Sequence, residues 1–231
     1  MAEPEPKDKG SVVFSTVRAM AISPEKAMQI ASQYKAAALK KNPERTAVEI
    51  EAIVSKKIIN KYSNYTALSG SVFAIPGIVP GVGTAVAMVG GGLGDAASCL
   101  KAQVDMTMLL AANFGWDLTE LDAQYMAMLI AVSCGLEKLG VGSGVPVASK
   151  AGVKILRQYL KGATLKALKE FLSRFGITFT RSSLEKALPF GFGLAAGSGL
   201  NYALTQYVGY EAVKCFTIER QMRIDGDGES V

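Results

Sequence analysis

The chain has 231 residues, enough for one large domain or two small ones with a substantial core. Apolar residues make up 49% of it and charged ones 19%, with a net charge of +5 and a mean hydropathy of +0.24, between a soluble domain and a polytopic membrane protein. Histidine is absent, which excludes Ser-His-Asp and Cys-His nucleophile pairs, histidine general bases and the commonest zinc sites.

The first ten residues are polar and proline-rich, unlike a signal peptide or an Arg-rich transit peptide, so residues 1–21 are expected to form a flexible cytoplasmic start. Ser23-Pro24-Glu25 and Asn42-Pro43-Glu44 each place a capping side chain before a proline suited to the first helical position. The helix after Ser23 carries Ala27, Ile30, Ala31, Tyr34 and Ala38 on one stripe. The next carries Ala47, Ile50, Val54 and Ile58 at spacings of three and four.

Tyr62–Gly94 then runs without a charged side chain, as Ala187–Tyr210 does later. Such runs hide in a core or enter lipid, and their glycines favour close helix crossings through Gly90/Gly94 and Gly193/Gly197. Pro76 and Pro80 break the first run, which argues against one bilayer-spanning helix. From Gly81 a new helix is predicted through Asp95, Gln103 and Asp105 towards Asn113.

Asp117-Leu118-Thr119-Glu120 predicts a capping box opening a helix that ends near Gly140. Residues 140–146 form a loop, followed by amphipathic helices over 148–161 and 163–175. Gly176–Thr180 is the only short strand candidate. The second uncharged run supplies another helix, Glu211–Arg223 a last one, and Asp225–Val231 a loose tail. The fold class is all-α: a single compact multi-helix domain over 22–224 with a glycine-rich central helical hairpin.

Between Lys150 and Lys186 lie nine basic residues against Glu170 and Glu185, a net charge of +7 that exceeds the whole chain's. Lys150, Lys154, Arg157 and Lys161 recur on a single helical face, with Lys166 and Lys169 beyond, while Val153, Leu156 and Leu160 supply an apolar side. This pattern suits anionic lipid headgroups and equally a solvated helix face. It lacks the interleaved aromatics and reading motif of a nucleic-acid surface.

Gly191–Gly197 and Gly140–Gly144 imitate phosphate-binding loops but follow no strand, and no GxxxxGK[ST] is present. Asp95, Gln103, Asp105, Asn201 and Gln206 are polar positions in apolar helices, expected mainly to satisfy one another or a helix end. Met106, Met108, Met126 and Met128 read as core filler. Cys99, Cys134 and Cys215 are odd in number, widely spaced and without a CxxC, which argues for a reducing compartment.

Pro76-Gly77, Pro80-Gly81, Gly94-Asp95, Gln103 and Asn113-Phe114-Gly115-Trp116-Asp117 resemble the central block of EcsC-family proteins, and Pro189, Gly191, Gly193, Gly197 and Asn201-Tyr202 resemble that family's C-terminal segment. The resemblance covers about residues 60–215 and implies no catalytic residue. Asp95, Gln103 and Asn201 transfer as motif positions of unknown role.

The expected function is that of a non-catalytic cytoplasmic protein, peripherally bound to an anionic membrane surface or a membrane protein such as a transporter. Neither nucleic acid, cofactor nor metal is expected, and homo-oligomerisation stays open. The rivals are an assembly protein without lipid preference and a hydrolase using carboxylates such as Asp95.

Overall fold

Ser23 opens the first helix of the computed structural model, which describes residues 21–68, 91–140, 144–160 and 197–226. Its hydroxyl accepts the Lys26 amide at 3.3 Å, with Pro24 at the first helical position of α1 (Pro24–Lys41). Ala27, Ala31 and Ala38 of the predicted stripe are buried, and Ile30 and Tyr34 pack at its edge.

Asn42 does not open the next helix; it closes α1. Its backbone amide reaches the carbonyls of Ala38 and Leu39, and its side-chain amide reaches Ala38 at 2.9 Å. The start of α2 (Ala47–Leu68) belongs to Thr46-Ala47-Val48-Glu49. The Glu49 carboxylate accepts the Thr46 amide at 2.9 Å, and the Thr46 hydroxyl accepts the Glu49 amide at 3.3 Å. Two otherwise orphaned donors are satisfied reciprocally there. Ile50, Val54 and Ile58 face the core as expected, whereas Ala47 is exposed.

The predicted Asp95–Asn113 helix is α3 (Gly91–Asn113). Its end is set by Gly115, whose φ of +83° only glycine adopts without strain. Asp117 is not the cap of α4 (Leu121–Lys138): its carboxylate accepts the Thr119 amide at 2.9 Å and hydroxyl at 2.7 Å in a local turn. The helix begins after Glu120, which makes no side-chain cap. Gly140, at φ +69°, follows its last turn.

Ser149 starts α5 (Lys150–Leu160), accepting the Gly152 amide at 3.0 Å. A Cβ on Gly152 would stand 2.3 Å from the Val147 carbonyl oxygen, so the chain entering α5 needs glycine there. The separate helix expected over Glu211–Arg223 is instead the second half of one long helix, α6 (Gly197–Ile224). No proline lies between Tyr210 and Arg223 to interrupt the ladder. The helix proposed over 163–175, the strand candidate Gly176–Thr180 and the start at Gly81 lie outside the described residues.

The protein is all-α, with no strand among the described residues. α3 packs against α1, α2, α4 and α6, and α6 against α2, α3, α4 and α5, so the two glycine-opened helices form the inner pair. The core around them holds Ile58, Met106, Leu110, Met126, Ile130 and Phe216, all fully buried. Met108 and Met128 join the same core.

Along α2 and α6, Arg220 meets both carboxylate oxygens of Glu51 at 3.0 Å, Gln206 donates to Asn60 at 3.0 Å, and Thr66 and Thr205 share a 2.9 Å hydrogen bond. The pairs descend in one helix as they rise in the other. The two run antiparallel.

Candidate functional site

The basic face begins on α5, where Val153 and Leu156 are buried and Lys150 and Lys154 point into solvent. Arg157 lies on the flank of that face and turns inward. Its guanidinium donates to the Glu219 carboxylate at 3.0 Å and to the Glu219 backbone carbonyl at 3.2 Å. The Glu219 side chain is 4% exposed and also receives Arg223, so two guanidiniums on α5 and α6 share one buried carboxylate. The described part of the face therefore presents two outward cations, with Arg157 as its anchor. Lys161, Lys166 and Lys169 lie outside the described residues.

Asp95, Gln103 and Asn201 are not gathered into one site. Gln103 is buried between α3 and α4, its amide nitrogen 3.5 Å from the Cys99 sulfur. Its carbonyl oxygen has no donor and abuts Gly135, where a Cβ would come within 3.3 Å. Asn201 lies on the α2–α6 seam, half-buried, its backbone carbonyl accepting the Thr66 hydroxyl at 3.2 Å. Asp95 falls in the opening turns of α3, where the backbone alone is described.

Asp105 is held by Lys101 at 2.5 Å and by the Ile22 amide at 2.8 Å, which ties the start of α1 to α3. Burial raises its carboxyl above the usual range, against the opposing pull of Lys101 and Ile22. Among the described residues no group of His, Cys, Asp and Glu could hold a metal ion.

A second polar cluster, between α4 and α6, escaped the sequence reading. Burial raises the Glu137 carboxyl, as does the neighbouring Glu211 carboxylate, while the Val147 amide, the Tyr207 hydroxyl and Lys214 pull it down. Tyr207 is pushed up to about 12, chiefly by burial and then by Glu137. One turn away the Cys134 thiol meets that of Cys215, and that contact together with burial lifts it well above its ordinary value. All three cysteines are buried free thiols. Glu137, Tyr207 and Glu211 are spread over two helices seventy residues apart in sequence, and no local spacing announces their meeting.

A third cluster joins the α3–α4 turn to the end of α6. Trp116 packs edge-on to Phe216 at 5.4 Å, beneath Arg223 at 5.0 Å, and Phe114 lies beneath Arg220 at 5.1 Å. Asn113 donates to the Glu51 carbonyl and the Ser55 hydroxyl, both at 2.9 Å, and so fixes α3 to α2. Asn113, Phe114 and Trp116 thus lock a bundle corner, with Gly115 turning the chain between them.

No described helix is long and apolar enough to cross a membrane. The chain matches no family model, no curated protein and no solved structure.

Proposed function

We propose that the chain is a non-catalytic, EcsC-like helical protein that docks peripherally on an anionic membrane surface through the outward face of α5. The observation that carries this reading is the division of α5: Val153 and Leu156 are sealed in the core while Lys150 and Lys154 face solvent. They begin a stretch to Lys186 with a net charge of +7. Each basic residue at an anionic surface contributes about 1 kcal/mol, so neighbouring cations bind such a surface jointly. The described carboxylates Glu51, Asp105 and Glu219 are each held in an ion pair, which supports a structural use of these acids.

The test is co-sedimentation with vesicles of equal parts phosphatidylcholine and phosphatidylserine at low salt. The wild-type chain is expected to pellet with them, and not with phosphatidylcholine alone. Lys150→Glu with Lys154→Glu is expected to weaken binding at least about 30-fold, at about 1 kcal/mol for each lysine. No pelleting, or pelleting unchanged by the double reversal, overturns the reading. A discrete detergent-free oligomer indifferent to lipid favours the assembly role instead.

A further inference from the structure

The charges of α2 and α6 are confined to one end of the pair. At that end Glu51 meets Arg220, and Glu219 meets Arg157 and Arg223. Towards the other end, the last turns of α2 (Tyr62–Leu68) and the first turns of α6 (Gly197–Tyr210) hold no acidic or basic side chain. Several polar groups pair across the seam, while Asn64 is exposed. Thr66 bonds Thr205 and the Asn201 carbonyl, and Gln206 bonds Asn60 and the Tyr202 hydroxyl. The large apolar side chains facing outward, beside Asn64, Gly199 and Ala203, are Leu68 at 64% exposure, Leu200 at 41%, Tyr202 at 37% and Tyr210 at 45%.

A border of lysines and tyrosines separates the two ends. Lys61 on α2 bonds the Tyr34 hydroxyl at 3.1 Å, and Lys57 lies over the same ring. On α4, Lys138 sits 4.9 Å over Tyr207, beside the Gln206–Asn60 bond that sets the same level on α2. Lys214 of α6 follows one turn after Tyr210, 60% exposed and paired with Glu211 at 2.6 Å. Scattered apolar residues on a surface need no explanation. An uncharged, outwardly apolar end rimmed by amphipathic tyrosines and long cationic side chains has the composition of protein at a bilayer interface. There aromatic rings sit among the headgroups and lysines reach back to phosphate.

We infer that the uncharged α2–α6 edge, led by Leu68, Leu200 and Tyr202, enters the headgroup–acyl boundary of an anionic bilayer, with Lys61, Lys138 and Lys214 at the phosphate level. The inference rests on the membrane role proposed above and assigns its apolar half. Insertion of about 5–10 Å, usual for interfacial helices, submerges about the first two turns of α6 at 1.5 Å per residue. The last carbonyls of α2 and the first amides of α6 lie at this end without intrahelical partners, so the insertion stops where headgroup water still reaches them. The cations of α5 steer the chain to the surface, and the α2–α6 edge holds it there.

The chain's single tryptophan, Trp116, is at the opposite, charged end and serves as the internal control. Vesicles of phosphatidylserine and acyl-brominated phosphatidylcholine are mixed with wild type and with the Trp116→Phe/Tyr202→Trp variant. The variant's emission is expected to shift to the blue and to be quenched, while Trp116 in the wild type keeps its emission. Leu68→Asp with Leu200→Asp, in an otherwise wild-type chain, is expected to abolish the bound fraction that survives high salt, since salt screens the lysines but not apolar burial. Vesicle binding with neither quenching at position 202 nor a salt-resistant fraction overturns this inference and leaves the α5 reading standing. Failure to bind vesicles at all removes both.

Discussion

Asp105 lies on α3 with its side chain 3% exposed, between the Lys101 ammonium, the Ile22 amide and the phenols of Tyr62 and Tyr65. Burial dominates and raises its carboxyl, so the folded state holds the proton more tightly than the unfolded chain does. The sign follows: as pH rises from the ordinary carboxylate value through the raised one, the folded state loses stability at this residue. Exposed Glu49 and Asp117, lowered by hydrogen bonds to Thr46 and Thr119, act in the opposite sense: their contribution is present at neutral pH and fades as pH falls. Urea unfolding across that pH window is expected to give a more negative slope of stability against pH for wild type than for Asp105→Asn, because the substitution removes the downward component. Identical slopes in the two proteins would mean that Asp105 titrates alike folded and unfolded. The sequence marked Asp105 as a rare charge in an apolar helix; its partner four residues before it was legible by helical spacing, but the Ile22 amide, eighty-three residues away, was not.

Among the elements, the α2–α6 crossing depends on Gly209. A Cβ there would lie 2.7 Å from Cγ1 and 3.0 Å from Cγ2 of Ile59, atoms fixed near that side chain's branch point. Gly209→Ala is therefore expected to destabilise the fold by about 1–3 kcal/mol through overpacking. Ile59→Ala in the same background should return part of that loss, measured as a non-additive pair in urea unfolding. Strict additivity would place the cost elsewhere. The glycine-rich runs predicted close crossings at Gly90/Gly94 and Gly193/Gly197, which lie outside the residues whose packing is described; the crossing at Gly209 was not singled out, since spacing alone carries no information on which glycine meets a partner. Helix ends were legible where one motif stood alone, as at Ser23. They were misplaced where two ends competed for the same residues: Asn42 closes α1 because its amide groups reach Ala38, and the reciprocal Thr46–Glu49 pair opens α2 instead. The all-α architecture followed from periodicity, whereas the continuity of α6 through Glu211 depends on the tertiary packing of Ala212, Cys215 and Phe216, which are all buried.

For the whole molecule, attachment is uneven. Among the described helices α3 and α6 each pack extensively against four others, while α5, like α1, packs extensively against two, which for α5 are α4 and α6. Elements with fewer buried contacts open at lower free energy than the global transition, so α5, eleven residues long and carrying the first lysines of the basic face, is expected to open locally. Its anchors are Val153 and Leu156 in the core and Arg157 on Glu219. Arg157→Ala leaves the buried Glu219 carboxylate with Arg223 as its remaining cation and should cost about 1–3 kcal/mol, the penalty for a buried acceptor short of a donor. Because the lost bond spans only α5 and α6, the cost should appear as local opening. Native-state hydrogen exchange is expected to show Gly152–Leu156 amides exchanging faster in the variant while those of α2 and α3 keep their wild-type protection. Equal acceleration in every helix would mean that α5 opens only with the whole bundle, and the basic face would then be as rigid as the core it covers.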